Sequence, residues 1–560
     1  MKPTLRLFFL LLTLPNVCPG SLSFAQSTAL SAKVDSLFAP WNKPDSPGCV
    51  CGVIKDQLLL YAKGYGTADL EHDVPITPQS VFYIASTSKQ FTASSIALLA
   101  LDKKLSLNDD IHTYLPEIPS YGKPIRINDL LHHTSGLKDH FELMYLAGWH
   151  ESDYTNNEMV LRLVAHQRTL NFETGTKHEY SNTNYMLLAE IVRKVSGKSL
   201  RLFAQERIFT PLGMNHTHFD DDYPQVVKQR VISYAPPMGG TYIQLLKDFD
   251  LHGDGNLLTT VEDLQRWDAN FYTGKVGGVE LTKMLLTKGV LTSGDTIPYA
   301  LGLGHGHYKG LPIVSHTGGF KGFRTQLLRF PDQHFSVAVL CNLGSINAYE
   351  LANKVADIYL DDQFKNVKSE KPQAVASTDL KNASTISLKP ELLKKYAGVY
   401  QLGPGWAVTL SQERGQLMTQ ANGEPKFPTE AKSDSVIWID AYGASMTFVT
   451  DKNGSVNLLR YRTIQAKRIT PWVANPTEFP SLKGTYYSPE LAAEYTVDTI
   501  NGKLIMHHRR IGDFELSADP TEVNGFSGKI GNLSFVKNAQ KKVTGFMAGS
   551  RVKNIWFEKR

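Results

Sequence analysis

A serine followed three residues later by a lysine is the pattern in this 560-residue sequence that points most directly to chemistry. On a helix, residues three apart share a face, so the lysine amine would lie beside the serine hydroxyl. A lysine whose pKa is lowered by burial can take the hydroxyl proton and turn the serine into a nucleophile. The pattern occurs five times, starting at Ser86, Ser120, Ser135, Ser534 and Ser550.

The sequence around Ser86 separates it from the other four serines, which lie beside glycine or proline or in strand-like segments. Ser86 follows an extended apolar run, Val81 to Ala85, and opens a helix-compatible segment, Thr87 to Leu101. We therefore expect Ser86 and Lys89 on one face of a helix start, where free amides and the helix dipole stabilise negative charge. Taken alone, the motif is better explained by a capping serine beside a solvated lysine.

Two further motifs favour the catalytic interpretation of Ser86 and Lys89 over the capping interpretation. Tyr180 and Asn182 precede a predicted helix from Asn184 to Val195, and a phenol and an amide can relay a proton and orient the lysine. The second motif ends a predicted strand, where glycines let a substrate backbone approach and leave amides free to donate. It consists of His316, Thr317, Gly318 and Gly319.

The pattern of apolar residues predicts the elements that hold these motifs. Residues 49 to 62 indicate a hairpin, residues from about 87 to 290 are mostly helical, and a final helix is predicted from Ala348 to Leu360. Strands at both ends with helices between them predict one antiparallel sheet packed by helices. The late strands form a predicted meander of Leu311 to Thr317, Arg324 to Phe330 and Phe335 to Cys341.

Residues 363 to 388 are rich in Lys, Ser, Thr and Ala and are predicted to form a linker. Beyond it the sequence repeats with a period of about 86 to 87 residues. This predicts two β-rich modules, 389 to 475 and 476 to 560, each a small antiparallel barrel. Chance similarity between two β domains is the alternative. The matching pairs are Gly398 with Gly484, Gly415 with Gly502, Phe448 with Phe535 and Val456 with Val543.

Composition favours a globular protein, because 42% of residues are hydrophobic and 20% are charged. The formal net charge is +5 without a concentrated basic stripe, which argues against a nucleic-acid partner. Lys2 and Arg6, the apolar run Leu7 to Leu14, and small residues near Ala25 predict a signal peptide over residues 1 to 25. We expect an exported protein, periplasmic or secreted, with no transmembrane segment. Lipidation at Cys18 is the alternative, but the bulky Val17 argues against it.

Cys49 and Cys51 are predicted on one face of a strand, a geometry that disfavours a bond between them. We expect buried thiols, with a disulfide from either one to Cys341 as the alternative. His132 and His133 are adjacent and would point apart, so we do not assign them to a metal. No cofactor or metal is expected.

The combined motifs resemble the serine β-lactamase, DD-peptidase and esterase superfamily, over residues from about 40 to 362. The resemblance rests on the order and spacing of Phe82 to Lys89, Leu130 to Leu137, Tyr180 to Tyr185 and His316 to Gly319. It implies an α+β hydrolase domain over residues 26 to 362 and a covalent acyl-enzyme on Ser86. Lys89 and Tyr180 would share proton transfer with help from Asn182. The amides of Ser86 and Gly319 would form the oxyanion hole.

His316 stands where typical penicillin-recognising members have lysine. Because histidine is mostly neutral at pH 7, we expect weaker recognition of a substrate carboxylate and inefficient β-lactam hydrolysis. This histidine, followed by two lipocalin-like barrels, is similar to D-aminopeptidases of the superfamily. A small-molecule or short-peptide substrate is expected, with cell-wall fragments among the candidates and the oligomeric state left open. The alternatives are a true β-lactamase or DD-carboxypeptidase, and a non-catalytic penicillin- or peptidoglycan-binding protein.

Overall fold

The computed structural model describes residues 19–366, 380–381, 383–403, 405–422, 424–462, 464–549 and 551–560. Most of the predicted signal peptide and the middle of the predicted linker therefore lie outside the described residues. The described chain begins with helix α1, Pro19–Phe38. None of the helices in these ranges is both long enough and apolar enough to cross a lipid bilayer.

The first domain combines short and long strands with ten further helices, and many of the shortest elements flank the site described below. Its strands are, in chain order, β1 Cys49–Lys55, β2 Leu58–Tyr65, β3 Thr67–Asp69, β4 Val74–Pro75, β5 Phe82–Tyr83, β6 His218–Phe219, β7 Ser233–Met238, β8 Thr241–Leu245, β9 Leu257–Thr259, β10 Gly304–Tyr308, β11 Leu311–Phe320, β12 Phe323–Phe330 and β13 Phe335–Cys341. Its further helices are α2 Lys89–Leu101, α3 Ile127–Leu131, α4 His140–Leu146, α5 Asn157–Ala165, α6 Asn182–Ser196, α7 Leu200–Ala204, α8 Thr210–Leu212, α9 Val261–Thr273, α10 Gly278–Leu286 and α11 Ala348–Asn366.

The main sheet has six antiparallel strands in the order β10-β11-β12-β13-β1-β2. Because β1 pairs with both β2 and β13, the first hairpin and the late meander lie in one sheet, which confirms the predicted architecture. The register places Cys49 directly opposite Cys341, and the two form a disulfide. The prediction of buried thiols is therefore wrong for this pair and right for Cys51, whose thiol pKa is raised by burial.

Helices α2 and α6 pack against each other and carry two of the predicted site residues, Lys89 and Asn182. Every residue of α2 from Lys89 to Leu99 is buried, although many are polar. The small serines allow close packing, and Ser94 and Ser95 donate their hydroxyls to backbone oxygens one turn earlier. Helix α6 ends at Gly197, which adopts the left-handed conformation typical of a helix C-terminus.

Two β modules follow, each opened by a short helix: α12 Pro390–Tyr396 and α13 Phe479–Leu482. The first module contains β14 Gly398–Gly403, β15 Trp406–Glu413, β16 Gln416–Ala421, β17 Phe427–Pro428, β18 Glu430–Ser433, β19 Val436–Ile439, β20 Ala444–Thr450, β21 Val456–Tyr461 and β22 Ile464–Ile469. The second contains β23 Gly484–Ser488, β24 Ala493–Ile500, β25 Lys503–His508, β26 Gly512–Ala518, β27 Gly525–Gly528, β28 Gly531–Lys537, β29 Val543–Gly549 and β30 Ile555–Lys559.

The second module is a closed eight-stranded barrel, whereas the first is a nine-stranded sheet with a single break. The strand order of the first begins with β17 and ends with β18, which are consecutive pieces of chain separated only by Thr429. Pro428 has no backbone N–H to donate, although the Thr429 N–H beyond it still donates to the Leu417 oxygen at 3.1 Å. The first module is therefore a near-barrel in which one strand is broken.

Residues that match across the repeat occupy equivalent places in the two modules. Gly398 and Gly484 begin the first strand of their modules. The hydroxyls of Tyr400 and Tyr486 each donate to the backbone oxygen four residues earlier, at Tyr396 and Leu482. Both modules thus anchor their first strand to the preceding short helix in the same way.

The second barrel is packed onto the first domain. Its buried apolar residues form one continuous cluster with those of that domain, while the first module has a cluster of its own. At this junction the Tyr495 hydroxyl donates to the Leu146 oxygen at 2.9 Å, and buried Lys138 faces Glu490 at 3.9 Å. The second barrel is therefore close enough to contribute to the site.

Candidate active site

Ser86 lies in a strained turn between strand β5 and helix α2. Ala85, directly before it, has φ of 47°, which is uncommon for a residue with a side chain. Residues Ala85–Ser88 form a 3₁₀ turn, and the α-helix proper begins at Lys89. The predicted helix start is thus one tight turn, and it presents the half-buried Ser86 at the mouth of a cleft.

Lys89 is fully buried beneath Ser86. Its Nζ atom donates to Ser86 Oγ at 3.1 Å, to Asn182 Oδ1 at 2.9 Å and to the backbone oxygen of Asp254. Burial lowers the Lys89 pKa to about 8, and the carboxylates of Asp254 and Asp139 partly oppose that change. A substantial neutral fraction therefore exists near pH 8, as a general base requires.

Asn182 begins helix α6 and is held by Asp139, which the sequence motifs did not reveal. The backbone N–H of Asn182 donates to Asp139 Oδ2 at 2.7 Å, and its side-chain Nδ2 donates to the same oxygen at 2.8 Å. These bonds fix the amide so that Oδ1 faces Lys89. Asp139 also caps helix α4 by accepting from the Phe141 N–H.

The Tyr180 ring lies over the lysine, with its centroid 4.9 Å from Lys89 Nζ. Its hydroxyl oxygen is buried and makes no hydrogen bond of ordinary geometry with a described residue. Burial raises the Tyr180 pKa well above its usual value, and the neighbouring Ser86 hydroxyl only partly offsets that rise. Tyr180 is therefore a protonated phenol at neutral pH, suited to passing on a proton.

His316 is buried, and both of its ring nitrogens are engaged. Nδ1 lies 2.6 Å from the Thr317 oxygen and therefore donates, so Nε2 accepts from the Tyr299 hydroxyl at 3.0 Å. Burial lowers the His316 pKa to about 4, with a further contribution from the Lys89 charge. His316 is therefore a neutral residue at physiological pH, and Tyr299 is its partner.

The glycines of the third motif let strand β11 approach the serine turn closely. A side chain on Gly318 would collide with the Ile84 oxygen and the Thr325 hydroxyl, which are themselves hydrogen-bonded at 2.9 Å. Gly319 lines the cleft with Ser86, whereas Thr317 is exposed. The structure thus brings Ser86, Lys89, Tyr180, Asn182, His316 and Gly319 into one region.

The cleft in front of Ser86 has a volume of about 430 Å³. Aromatic side chains form much of its wall, and Glu151 and Asp153 lie along it. Arg551, from the second barrel, also lines it, with its guanidinium 3.8 Å from Glu142. Besides Tyr180, the aromatic residues of the wall are Tyr83, Phe141, Tyr145, Trp149, Phe249 and Phe320.

Sequence reasoning missed Asp139, Tyr299 and Arg551 because no sequence pattern assigns any of the three a chemical role. Asp139 and Asn182 are 43 residues apart in sequence, and Arg551 reaches the cleft only because a separate domain docks there. A loop bearing Arg551 is fixed by Asn171, whose Nδ2 donates to the Arg551 oxygen at 2.8 Å. Only the tertiary structure reveals these contacts.

The adjacent histidines have structural partners. His132 contacts the backbone oxygens of Asn128 and Thr287, while His133 Nδ1 accepts the Ser181 N–H. Within the described part of the chain, one group with metal-ligating side chains, Asp69, Glu71 and His72, is mostly exposed and does not line the cleft.

Comparison with known sequences places this arrangement in a family. The Beta-lactamase family model matches residues 34–359. Penicillin-binding protein 4* of Bacillus subtilis (strain 168) is 28% identical over 420 residues, which cover 72% of this chain and 90% of that protein. A D-aminopeptidase of Gluconobacter oxydans (strain 621H) is 26% identical over 372 residues, covering 66% of this chain and 69% of that protein.

Solved structures share the fold. The octameric penicillin-binding protein homologue from Pyrococcus abyssi has a TM-score of 0.56 at 21% identity, covering 86% of this chain and 98% of that one. The D-amino acid amidase from Ochrobactrum anthropi SV3 has a TM-score of 0.51 at 20% identity, covering 60% of this chain and 99% of that one. At these identities the likeness establishes the architecture alone.

Proposed function

Because the chain belongs to the Beta-lactamase family and is a serine hydrolase of that superfamily, we propose that it forms an acyl-enzyme on Ser86. The observation that carries the proposal is the convergence on one lysine. Lys89 Nζ contacts both Ser86 Oγ and Asn182 Oδ1, and the Tyr180 ring lies over it. A solvated lysine beside a capping serine would show none of these contacts.

The first half of the reaction forms the acyl-enzyme. Neutral Lys89 takes the Ser86 hydroxyl proton, and Oγ attacks the substrate carbonyl carbon. The amide N–H groups of Ser86 and Gly319 stabilise the resulting oxyanion. When the tetrahedral intermediate collapses, the bond to the leaving group breaks, and the leaving group takes the proton from Lys89 through the Tyr180 hydroxyl. An ester on Ser86 remains.

The second half regenerates the enzyme. Water attacks the ester carbonyl as its proton passes to the same base, and collapse of the second intermediate returns a proton to Ser86 Oγ. The acid product then leaves. Asn182 takes no proton; it holds the lysine amine in place, and Asp139 holds Asn182. No group outside this set is needed for the proton balance.

We propose small peptides, amides or esters as substrates, in the manner of a D-aminopeptidase or an esterase. Neutral His316 supplies no fixed cation for a substrate carboxylate, because its pKa is lowered to about 4 and both nitrogens are already bonded. The names of two relatives support this choice of substrates, since one is a D-aminopeptidase and the other is a penicillin-binding protein. Rapid β-lactam hydrolysis is the less favoured hypothesis.

We also propose that the protein is exported. The basic and apolar pattern at the N-terminus favours a signal peptide. The disulfide between Cys49 and Cys341 supports an oxidising compartment, because such bonds rarely persist in a reducing cytosol. Fractionation of cells producing the full-length chain, with N-terminal sequencing of the product, tests this proposal. An intact N-terminus in the cytosolic fraction would contradict it.

A substrate panel tests the proposed activity. The wild type, Ser86→Ala and Ser120→Ala are each assayed with amides of D- and L-amino acids, with short-chain esters and with nitrocefin. Ser120 is a matched control because it begins the same motif but is exposed on the surface. We expect amide or ester hydrolysis that Ser86→Ala abolishes and Ser120→Ala retains. Nitrocefin as the preferred substrate would indicate a β-lactamase, and no hydrolysis of any class would indicate a binding protein.

A further inference from the structure

A second cavity of about 210 Å³ lies beside the catalytic cleft. Strand β5, the start of β7, the end of β8 and the turn between β11 and β12 enclose it. Most of its surface is apolar, from Val231, Ile232, Leu245, Phe249 and Phe323 among others. A protein cavity of about 150 Å³ accepts benzene, so this chamber can hold one aromatic or branched aliphatic side chain.

The chamber and the catalytic cleft share walls. Tyr83, Phe249 and Phe320 line both cavities. The rings of Phe249 and Phe320 lie 5.0 Å apart and those of Tyr83 and Phe249 lie 6.1 Å apart, so these residues form one aromatic cluster. The chamber and the space in front of Ser86 thus adjoin along this cluster.

Strand β11 runs from the catalytic cleft to the border of the chamber. Gly319 lines the catalytic cleft, and Phe320, the next residue, borders the chamber. Tyr180, which we assign to proton transfer at the leaving group, lines the cleft but not the chamber. The chamber therefore adjoins the cleft at the Phe320 end of strand β11, and Tyr180 is not part of its wall.

The charged residues of the chamber are already paired. Arg230 and Lys247 both contact Asp220, at 3.0 and 2.8 Å, and Lys321 contacts Asp248 at 2.7 Å. Each cation therefore has a carboxylate partner within the protein, although Arg230 and Lys247 share one, and most of the remaining chamber surface is apolar. Leu246 at its border is 61% exposed, an apolar surface that a bound group would cover.

We propose that this chamber receives the apolar side chain of the acyl group, aromatic or branched aliphatic, and that Leu245, Phe249 and Phe323 determine specificity. The inference rests on the proposed acyl-enzyme at Ser86. It predicts that an acyl group with a benzyl side chain is preferred over one with a methyl side chain by at least about ten-fold in kcat/KM, since even one methylene in an apolar pocket changes that ratio by about ten-fold or more.

Filling the chamber tests the inference. Leu245→Trp adds bulk inside it, and Ile243→Trp is the matched control on the same strand because Ile243 is 45% exposed and does not line the chamber. The substrates are phenylalanine and alanine para-nitroanilides of both configurations. We expect Leu245→Trp to remove the preference for phenylalanine while activity on alanine persists, and Ile243→Trp to retain both.

Two results would overturn the proposal. One is an equal loss for phenylalanine and alanine in Leu245→Trp, or no change for either. The other is a size preference that appears only when the leaving group is varied, as between the benzylamide and methylamide of alanine.

Binding to the inactive protein separates this inference from the acyl-enzyme. Ser86→Ala is titrated calorimetrically with phenylalaninamide and with alaninamide. Tighter binding of phenylalaninamide, lost in the Ser86→Ala, Leu245→Trp double variant, supports the chamber even if Ser86 proves not to be the nucleophile. Equal affinities for the two amides would contradict it.

Discussion

The Nζ atom of Lys89 lies 3.1 Å from the Oγ atom of Ser86. This contact makes the protonation state of one buried amine the variable that controls nucleophilic attack. Burial lowers the Lys89 pKa to about 8, so the amine loses its proton as the pH rises through that value. We therefore predict that kcat/KM rises with pH and levels off above about pH 8, measured with an uncharged ester.

The histidine provides a check on that profile. The His316 pKa is lowered to about 4, so His316 is already neutral across the rise and adds no inflection there. A profile that instead falls between pH 6 and 9, or one that is flat, would contradict the assignment of Lys89 as the base.

Asp139→Asn is predicted to lower kcat by about ten-fold, because it removes the acceptor that fixes Asn182. Asn182 N and Nδ2 both donate to Asp139 Oδ2, at 2.7 and 2.8 Å, while Asp139 Oδ1 accepts from the Phe141 N–H. An asparagine has a single oxygen, so it cannot serve both sites. Asparagine can still cap helix α4, so the fold should survive. The measurements are kcat, KM and thermal unfolding. A normal kcat in a stable Asp139→Asn protein would mean that the orientation of Asn182 is unimportant.

His316→Lys is predicted to increase acylation by benzylpenicillin by about ten-fold, because a lysine at this position supplies a charge-assisted bond to the substrate carboxylate. Activity on uncharged amides should not increase. His316→Gln is the control, since it removes the ring without adding charge. The readout is the rate of adduct formation by mass spectrometry. An increase of similar size in His316→Gln would show that the charge is not the cause.

Arg551→Ala is predicted to raise KM by about three-fold for a peptide with a free carboxylate, with little change in kcat. Among the described residues that line the cleft, Arg551 is the one that carries a permanent positive charge. Its side chain is 62% exposed, and solvent screening keeps the effect modest. Arg509→Ala is the matched control, an exposed arginine of the same barrel that does not line this cleft. Equal effects of the two substitutions would remove Arg551 from substrate binding.

The sequence predicted the site residues that lie in motifs, because local patterns place them at ends of helices and strands. Lys89 begins helix α2, Tyr180 directly precedes the turn into helix α6, and His316 lies on strand β11, which continues beyond its predicted end at Thr317. The structure brings these residues together. Asp139 and Tyr299 could not be predicted, since their roles depend on how distant segments pack. Their own surroundings in sequence carry no distinctive pattern.

The same distinction explains the fold. Alternation and turn residues predicted the hairpin, the meander and the two β modules, whose sequence repeat has equivalent structural positions. Strand register was not predictable, and the register is what places Cys49 opposite Cys341. The docking of the second barrel onto the first domain could not be predicted either, because it depends on a large apolar interface between the two domains.

The assignment of Ser86 as the nucleophile is tested by locating a covalent adduct. The purified protein is treated with a fluorophosphonate probe, digested, and mapped by mass spectrometry, alongside Ser86→Ala and Ser120→Ala. We predict one adduct on Ser86 in the wild type and in Ser120→Ala, and none in Ser86→Ala. A wild type without any adduct, or labelling of Ser86→Ala equal to that of the wild type, would show that Ser86 is not the nucleophile.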